Sequence, residues 1–88
     1  MTSQMVKIKN LTGLHLSPAG ILCKEAVKYK SKITFRYDET SMANAKSVLS
    51  VLGACVKCGD ELEIICEGED EDIALKAIVD AIEDGLGE

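Results

Sequence analysis

A chain of 88 residues holds one hydrophobic core and one domain, expected over residues 1–88, with no room for a second. Apolar residues make up 47% of it and aromatic ones only 3%, so the core is built from Ile, Val, Leu and Ala; a deep pocket for a large cofactor is excluded, and no cofactor is expected. The formal net charge of -5 argues against direct nucleic-acid binding, whose affinity rests on Lys and Arg neutralising phosphates.

Met1 to Asn10 mixes lysines with apolar residues and has no unbroken apolar run. It reads neither as a signal peptide nor as a membrane span, and a cytoplasmic protein with no membrane contact is expected. From Met5 to Lys9, Val6 and Ile8 alternate with Lys7 and Lys9, the period of a strand with one dry face. Asn10 to Gly13 is a turn. Ser17-Pro18 signals a helix start, because Ser caps and Pro is tolerated in the first turn. Ala19, Leu22, Cys23, Ala26 and Val27 follow at helical spacing, predicting one buried stripe and an end near Lys30. Ile33, Phe35 and Tyr37 alternate in a second strand, and Asp38-Glu39 turns the chain into a short third strand around Thr40 to Ala43.

Asn44 to Ser47 offers caps for a second helix of two turns at most, carrying Val48, Leu49, Val51 and Leu52 and stopping at Gly53. Leu62, Ile64 and Cys66 alternate with Glu61, Glu63 and Glu67 in a strand with an acidic wet face, closed by Glu67-Gly68. Asp70 to Asp84 is a third helix, with Ile73, Ala74, Ala77, Ile78, Ala81 and Ile82 as its apolar stripe, carboxylates in its first turn and Gly85 at its end. The order βαββαβα predicts an α+β fold: a four-stranded antiparallel sheet with three helices on one face.

His15, the single histidine, lies where the turn runs into the first helix. Free N–H groups at a helix start stabilise an anion, so a phosphoryl group on this imidazole would meet donors and a favourable dipole. Neutral imidazole is also a nucleophile near neutral pH. Composition and spacing alone leave open an ordinary exposed loop histidine.

The segment Gly13-Leu14-His15-Leu16-Ser17-Pro18-Ala19 resembles the active-site motif Gly-Ile-His-Ala-Arg-Pro-Ala of the histidine-containing phosphocarrier (HPr) family. Asn44-Ala45-Lys46-Ser47-Val48-Leu49 resembles the family's Asn-Leu-Lys-Ser-Ile-Met, whose serine is a regulatory phosphorylation site in many Gram-positive members. Gly59 to Glu67, the Glu67-Gly68 turn and the closing Glu83-Asp84-Gly85-Leu86-Gly87-Glu88 are similar as well. The resemblance implies the HPr-like open-faced β-sandwich, and a relay in the phosphoenolpyruvate-dependent sugar phosphotransferase system. His15 would accept a phosphoryl group from enzyme I and pass it to sugar-specific enzyme II domains. It further implies that the Leu16 and Ser17 amides cradle the phosphoryl group, that Pro18 shapes the helix start, and that Ser47 is the target of an HPr kinase/phosphatase. Leu49, Leu52, Gly20 and Lys24 would belong to the docking surface. A monomer is expected, since one core and one modest patch account for the apolar residues.

The main departure is Ser17, where the family carries an arginine that pairs with the phosphoryl group; a hydroxyl cannot replace that charged fork. Leu16 and Gly20 stand where an alanine and a threonine are typical. Slower or partner-restricted transfer is expected. The alternative is a regulatory paralogue with reduced phosphotransfer that acts by protein binding controlled at Ser47, although Ser47 also serves as a plain helix cap. The basic residues cluster in the first two thirds of the chain, whereas Glu67 to Glu88 has one, Lys76; a partly basic patch facing an acidic partner fits that asymmetry.

Four cysteines, Cys23, Cys55, Cys58 and Cys66, are read as reduced thiols, mostly small buried hydrophobes. Cys55-Val56-Lys57-Cys58 has redox or zinc spacing but follows a helix C-terminus, which disfavours thiolate. Glu67 to Asp72 reads as a solvated helix cap. No metal is expected.

Overall fold

A computed structural model describes residues 1–87; Glu88, the last residue of the closing motif, lies outside them. The chain runs β1 (Thr2–Lys7), α1 (Leu16–Ala26), β2 (Lys32–Arg36), β3 (Met42–Asn44), α2 (Val48–Gly53), β4 (Glu61–Glu67), α3 (Glu71–Glu83). The sheet is antiparallel throughout, in the order β1-β4-β2-β3. Val6 sits opposite Leu62, Ile64 opposite Phe35, Cys66 opposite Ile33 and Phe35 opposite Ala43. All of these are buried, together with Ala19, Leu22 and Ala26 of α1, Val51 of α2, and Ala74, Ile78, Val79 and Ile82 of α3. The alternation read from the sequence is therefore the alternation of the sheet's two faces. On the other face Arg36 Nε pairs with Glu63 at 3.5 Å.

Several boundaries differ from expectation, each for a local reason. The first strand begins at Thr2 rather than Met5 because β4 continues to Glu67 and pairs with it as far as Thr2↔Cys66. Ile8, just beyond β1, is buried and bonds instead to the loop before β4, with Ile8 N donating to Asp60 O (2.9 Å) and Gly59 N to Ile8 O (2.8 Å). Helix α1 stops at Ala26 rather than near Lys30: the Asp70 carboxylate accepts from the amides of Lys30 and Ser31, each at 2.9 Å, and from the Ser31 hydroxyl. Those amides are thereby drawn away from a further helical turn. Val27, placed on the buried stripe by its spacing, is the C-cap and is exposed.

The third strand starts at Met42, two residues late, because the Asp38 carboxylate accepts from Thr40 N (2.9 Å) and lengthens the turn; the same bond holds the Asp38 carboxyl below its ordinary range. Ile73, in the first turn of α3, is exposed, and Val79 is buried instead. The wide stripe of α3 rests on β1 and β4 through Ala74, Ile78 and Ile82.

Candidate functional site

His15 is the N-cap of α1, with extended backbone angles φ -73 and ψ 178. Its carbonyl accepts the first helical bond, from Ala19 N at 2.8 Å. This corrects the expectation that Ser17 caps the helix. Because the helix begins directly after His15, Ser17 is its second residue and Pro18 its third, where the missing proline N–H costs no helical bond.

The imidazole Nδ1 accepts a hydrogen bond from Leu16 N at 3.0 Å, so Nδ1 carries the lone pair and the ring proton sits on Nε2. Since Ala19 N is the first amide engaged within the helix and Pro18 has none, Leu16 and Ser17 supply the N–H groups at this end. His15, Leu16 and Ser17 are exposed, and Pro18 is buried. An exposed nitrogen nucleophile, two backbone donors and the positive end of a helix dipole thus converge at one point.

The turn before His15 is held from behind. Gly13 has φ +66°, and a Cβ added there would lie 2.3 Å from Val56 O and 2.8 Å from Lys57 Cα. Leu14 N donates to Val56 O at 3.0 Å, and Gly13 N to Asn10 O at 3.0 Å. The Asn10 side-chain amide donates to Gly13 O and is itself buried. Sequence reasoning did not foresee this support; the glycine that opens the histidine motif was the one signal of it.

The remaining expected site residues fall on two helices in mutual contact, α1 and α2. Gly20 is half-buried, with no atom within 4 Å of a Cβ built on it, and Lys24 is exposed. Leu49 is 83% exposed. Leu52 is instead half-buried against the core, so it is less available than its neighbour. Leu11, Leu16 and Ile21 are exposed apolar residues on or beside α1 that the sequence reading did not assign to docking. Ser47 is the N-cap of α2, its hydroxyl accepting from Ser50 N at 3.2 Å, so the cap role read from the sequence holds.

Among the cysteines only Cys66 is buried, and burial pushes its thiol pKa up. Cys23 is half-buried, its Sγ donating to Lys46 O at 3.1 Å. Cys55 and Cys58 are exposed, which corrects the picture of mostly buried thiols. They lie in the loop between α2 and β4. Among the described residues, no three His, Cys, Asp or Glu side chains group to hold a metal ion, and no helix is long and apolar enough to cross a membrane.

The model of the family described as PTS HPr component phosphorylation site matches residues 2–84. The phosphocarrier protein HPr of Treponema pallidum is 40% identical over 78 residues, covering 89% of this chain and 88% of the relative. The HPr-like protein Crh of Halalkalibacterium halodurans is 32% identical, covering 94% of this chain and 98% of the relative. The crystal structure of HPr-C-His from Thermoanaerobacter tengcongensis superposes with a TM-score of 0.94 at 38% identity, over 100% of this chain and 98% of that one. The fold, the match over nearly all the described residues and the histidine at the helix start agree: this chain belongs to the HPr phosphocarrier family of the phosphotransferase system.

Proposed function

We propose that this protein relays phosphoryl groups in the phosphoenolpyruvate-dependent sugar phosphotransferase system, accepting one from enzyme I on Nδ1 of His15 and passing it to sugar-specific enzyme II domains. The observation that carries this reading is the 3.0 Å bond from Leu16 N to Nδ1, which aims the lone pair of Nδ1 at the helix start. A phosphoryl group formed there would receive hydrogen bonds from the Leu16 and Ser17 amides. Pro18 contributes a fixed φ to the helix start. The single domain needs neither cofactor nor metal, because donor and acceptor proteins supply the reacting groups. Leu49, Gly20 and Lys24, with the half-buried Leu52, form the face that meets partners, and Ser47 is the residue an HPr kinase/phosphatase would modify. We place the protein in the cytoplasm as a monomer; sedimentation velocity tests the second point.

The test is incubation with phosphoenolpyruvate and enzyme I, followed by intact-mass and acid-lability measurements, beside His15→Ala and Ser17→Arg. An acid-labile gain of one phosphoryl group that is lost in His15→Ala supports the relay. Ser17 supports a second reading, a regulatory paralogue, because no guanidinium occupies that exposed position. No gain in the native protein, with gain restored by Ser17→Arg, would favour that reading.

A further inference from the structure

The Cys55-Val56-Lys57-Cys58 loop is not consumed by phosphocarrier chemistry, yet it lies directly behind the His15 turn. Both thiols are exposed, whereas Cys66 is buried and Cys23 is half-buried with its Sγ donating to Lys46 O. Cys55 has φ +54°, a left-handed conformation that L side chains other than Asn and Asp seldom adopt. Cys58 Sγ donates to Lys9 O at 3.6 Å, on the strand side of the His15 turn. Between the two thiols, Val56 O accepts from Leu14 N at 3.0 Å, and the Gly13 backbone packs on Val56 O and Lys57 Cα. The thiols therefore bracket the peptide on which the residue before His15 rests.

We propose that Cys55 and Cys58 are a covalent modification site, an exposed dithiol that a hydroperoxide oxidises to an intramolecular disulfide, and that this bond alters the seat of the His15 turn. One thiol, as thiolate, attacks the peroxide oxygen; the O–O bond breaks, an alcohol leaves (water, for hydrogen peroxide) and a sulfenic acid forms. The second thiol sulfur then displaces hydroxide from it, forming the S–S bond and releasing water. Two thiols lose two electrons and two protons in all, and one peroxide is reduced. Cys55 lies just after the C-terminus of α2 rather than at a helix N-terminus, where redox-catalytic dithiols are seated, so the site undergoes stoichiometric modification rather than turnover as a redox catalyst.

Two consequences reach the turn. Oxidation removes the S–H that Cys58 donates to Lys9 O. A disulfide also restricts the Cα separation of its cysteines to about 4.4–6.8 Å, which constrains the Val56-Lys57 segment and with it the acceptor of Leu14 N. That this changes phosphoryl transfer rests on the reading of His15 as the acceptor. Displacing a reacting group by about 1 Å can cost a hundredfold in rate, so the oxidised form is expected to take up phosphoryl groups about tenfold more slowly or worse.

The reduced protein is treated with hydrogen peroxide at equal concentration, alkylated, and mapped by peptide mass spectrometry, with amide NMR spectra recorded before and after. The expected result is a Cys55–Cys58 link reversed by dithiothreitol, with Cys23 and Cys66 still free thiols. The amide signals of Leu14 and Lys9 shift with it, and Cys55→Ser and Cys58→Ser abolish both effects. Sulfinic acid without a link, a link through Cys23 or to a second chain, or a Cys55–Cys58 link that leaves the Leu14 signal unmoved overturns the proposal. These readouts need no phosphoryl donor. If the reduced protein takes no phosphoryl group from enzyme I, the relay reading fails separately.

Discussion

Gly13→Ala probes the turn that seats His15, and its cost follows from the structure. The new Cβ would stand 2.3 Å from Val56 O and 2.8 Å from Lys57 Cα, both backbone atoms that no rotamer change can move aside. Holding an L-residue at φ +66° costs about 1–2 kcal/mol, and overpacking of this kind adds about 1–3 kcal/mol. Alanine also narrows the unfolded ensemble, which returns roughly 0.4–1 kcal/mol. The net loss is about 1–4.6 kcal/mol, which at 4–8 °C per kcal/mol lowers Tm by roughly 4–37 °C in a domain of this size. Thermal unfolding followed by far-UV circular dichroism measures it. Gly20→Ala is the matched control, since no atom lies within 4 Å of a Cβ there; mid-helix alanine should raise stability by about 0.5–1 kcal/mol. A Gly13→Ala melt within about 3 °C of the native protein would refute the close approach of the turn to Val56.

Ser47→Ala should lose about 1 kcal/mol in urea unfolding, because the Ser50 amide loses the hydroxyl that accepts its bond in the native α2 cap; an unchanged midpoint would show that water replaces the cap without cost. The Asp70 carboxyl titrates below its ordinary value of 3.8 because the Ser31 hydroxyl and then the Lys30 amide bond to its charged form. A depressed folded pKa gives stability that is present above the unfolded value and is lost as pH falls through the folded one. Asp70→Asn should therefore lower the urea midpoint at neutral pH and flatten its decline on acidification towards about pH 3; a parallel shift with no flattening counts against the assignment. Ser17→Arg should speed phosphoryl uptake from enzyme I and make the rate more sensitive to salt, as expected when a guanidinium meets acidic partner surfaces; stopped-flow or quenched-mass kinetics at two ionic strengths read both.

Most of the architecture was legible because its signals are local. Leu62, Ile64 and Cys66 alternate with Glu61, Glu63, Ile65 and Glu67, and the structure buries the first three and turns Glu61 and Glu67 to solvent. Ser47 reads as a cap from its place before an apolar run, and it is one. Failures came where a distant residue decides a local boundary. Nothing in Val27-Lys28-Tyr29-Lys30 announces that Asp70, some forty positions on, takes the amides of Lys30 and Ser31 and ends α1 early. The expectation that Ser17 caps α1 fails for a different reason: Ser-Pro is a start signal on average, but here the histidine ring itself accepts the first free amide.

The histidine cap bears on the chemistry. A serine cap would have left His15 outside the helix, with its ring free to turn; a histidine cap fixes the ring by its own bond to Leu16 N and puts Nδ1 where the helix donors point. In the family motif an arginine stands where this chain has Ser17, the second residue of α1. On the proposed relay, with the arginine absent, the backbone donors and the rigidity of the turn would carry a larger share of anion stabilisation. Rigidity comes from Gly13 against Val56 and from Leu14 N on Val56 O, contacts between segments more than forty residues apart. The position of Val56 should therefore weigh more on phosphoryl uptake in this chain than it would beside an arginine. A loop change such as the Cys55–Cys58 disulfide should accordingly slow the native protein more than it slows Ser17→Arg, and equal slowing in the two would show that the turn does not compensate for the missing cation.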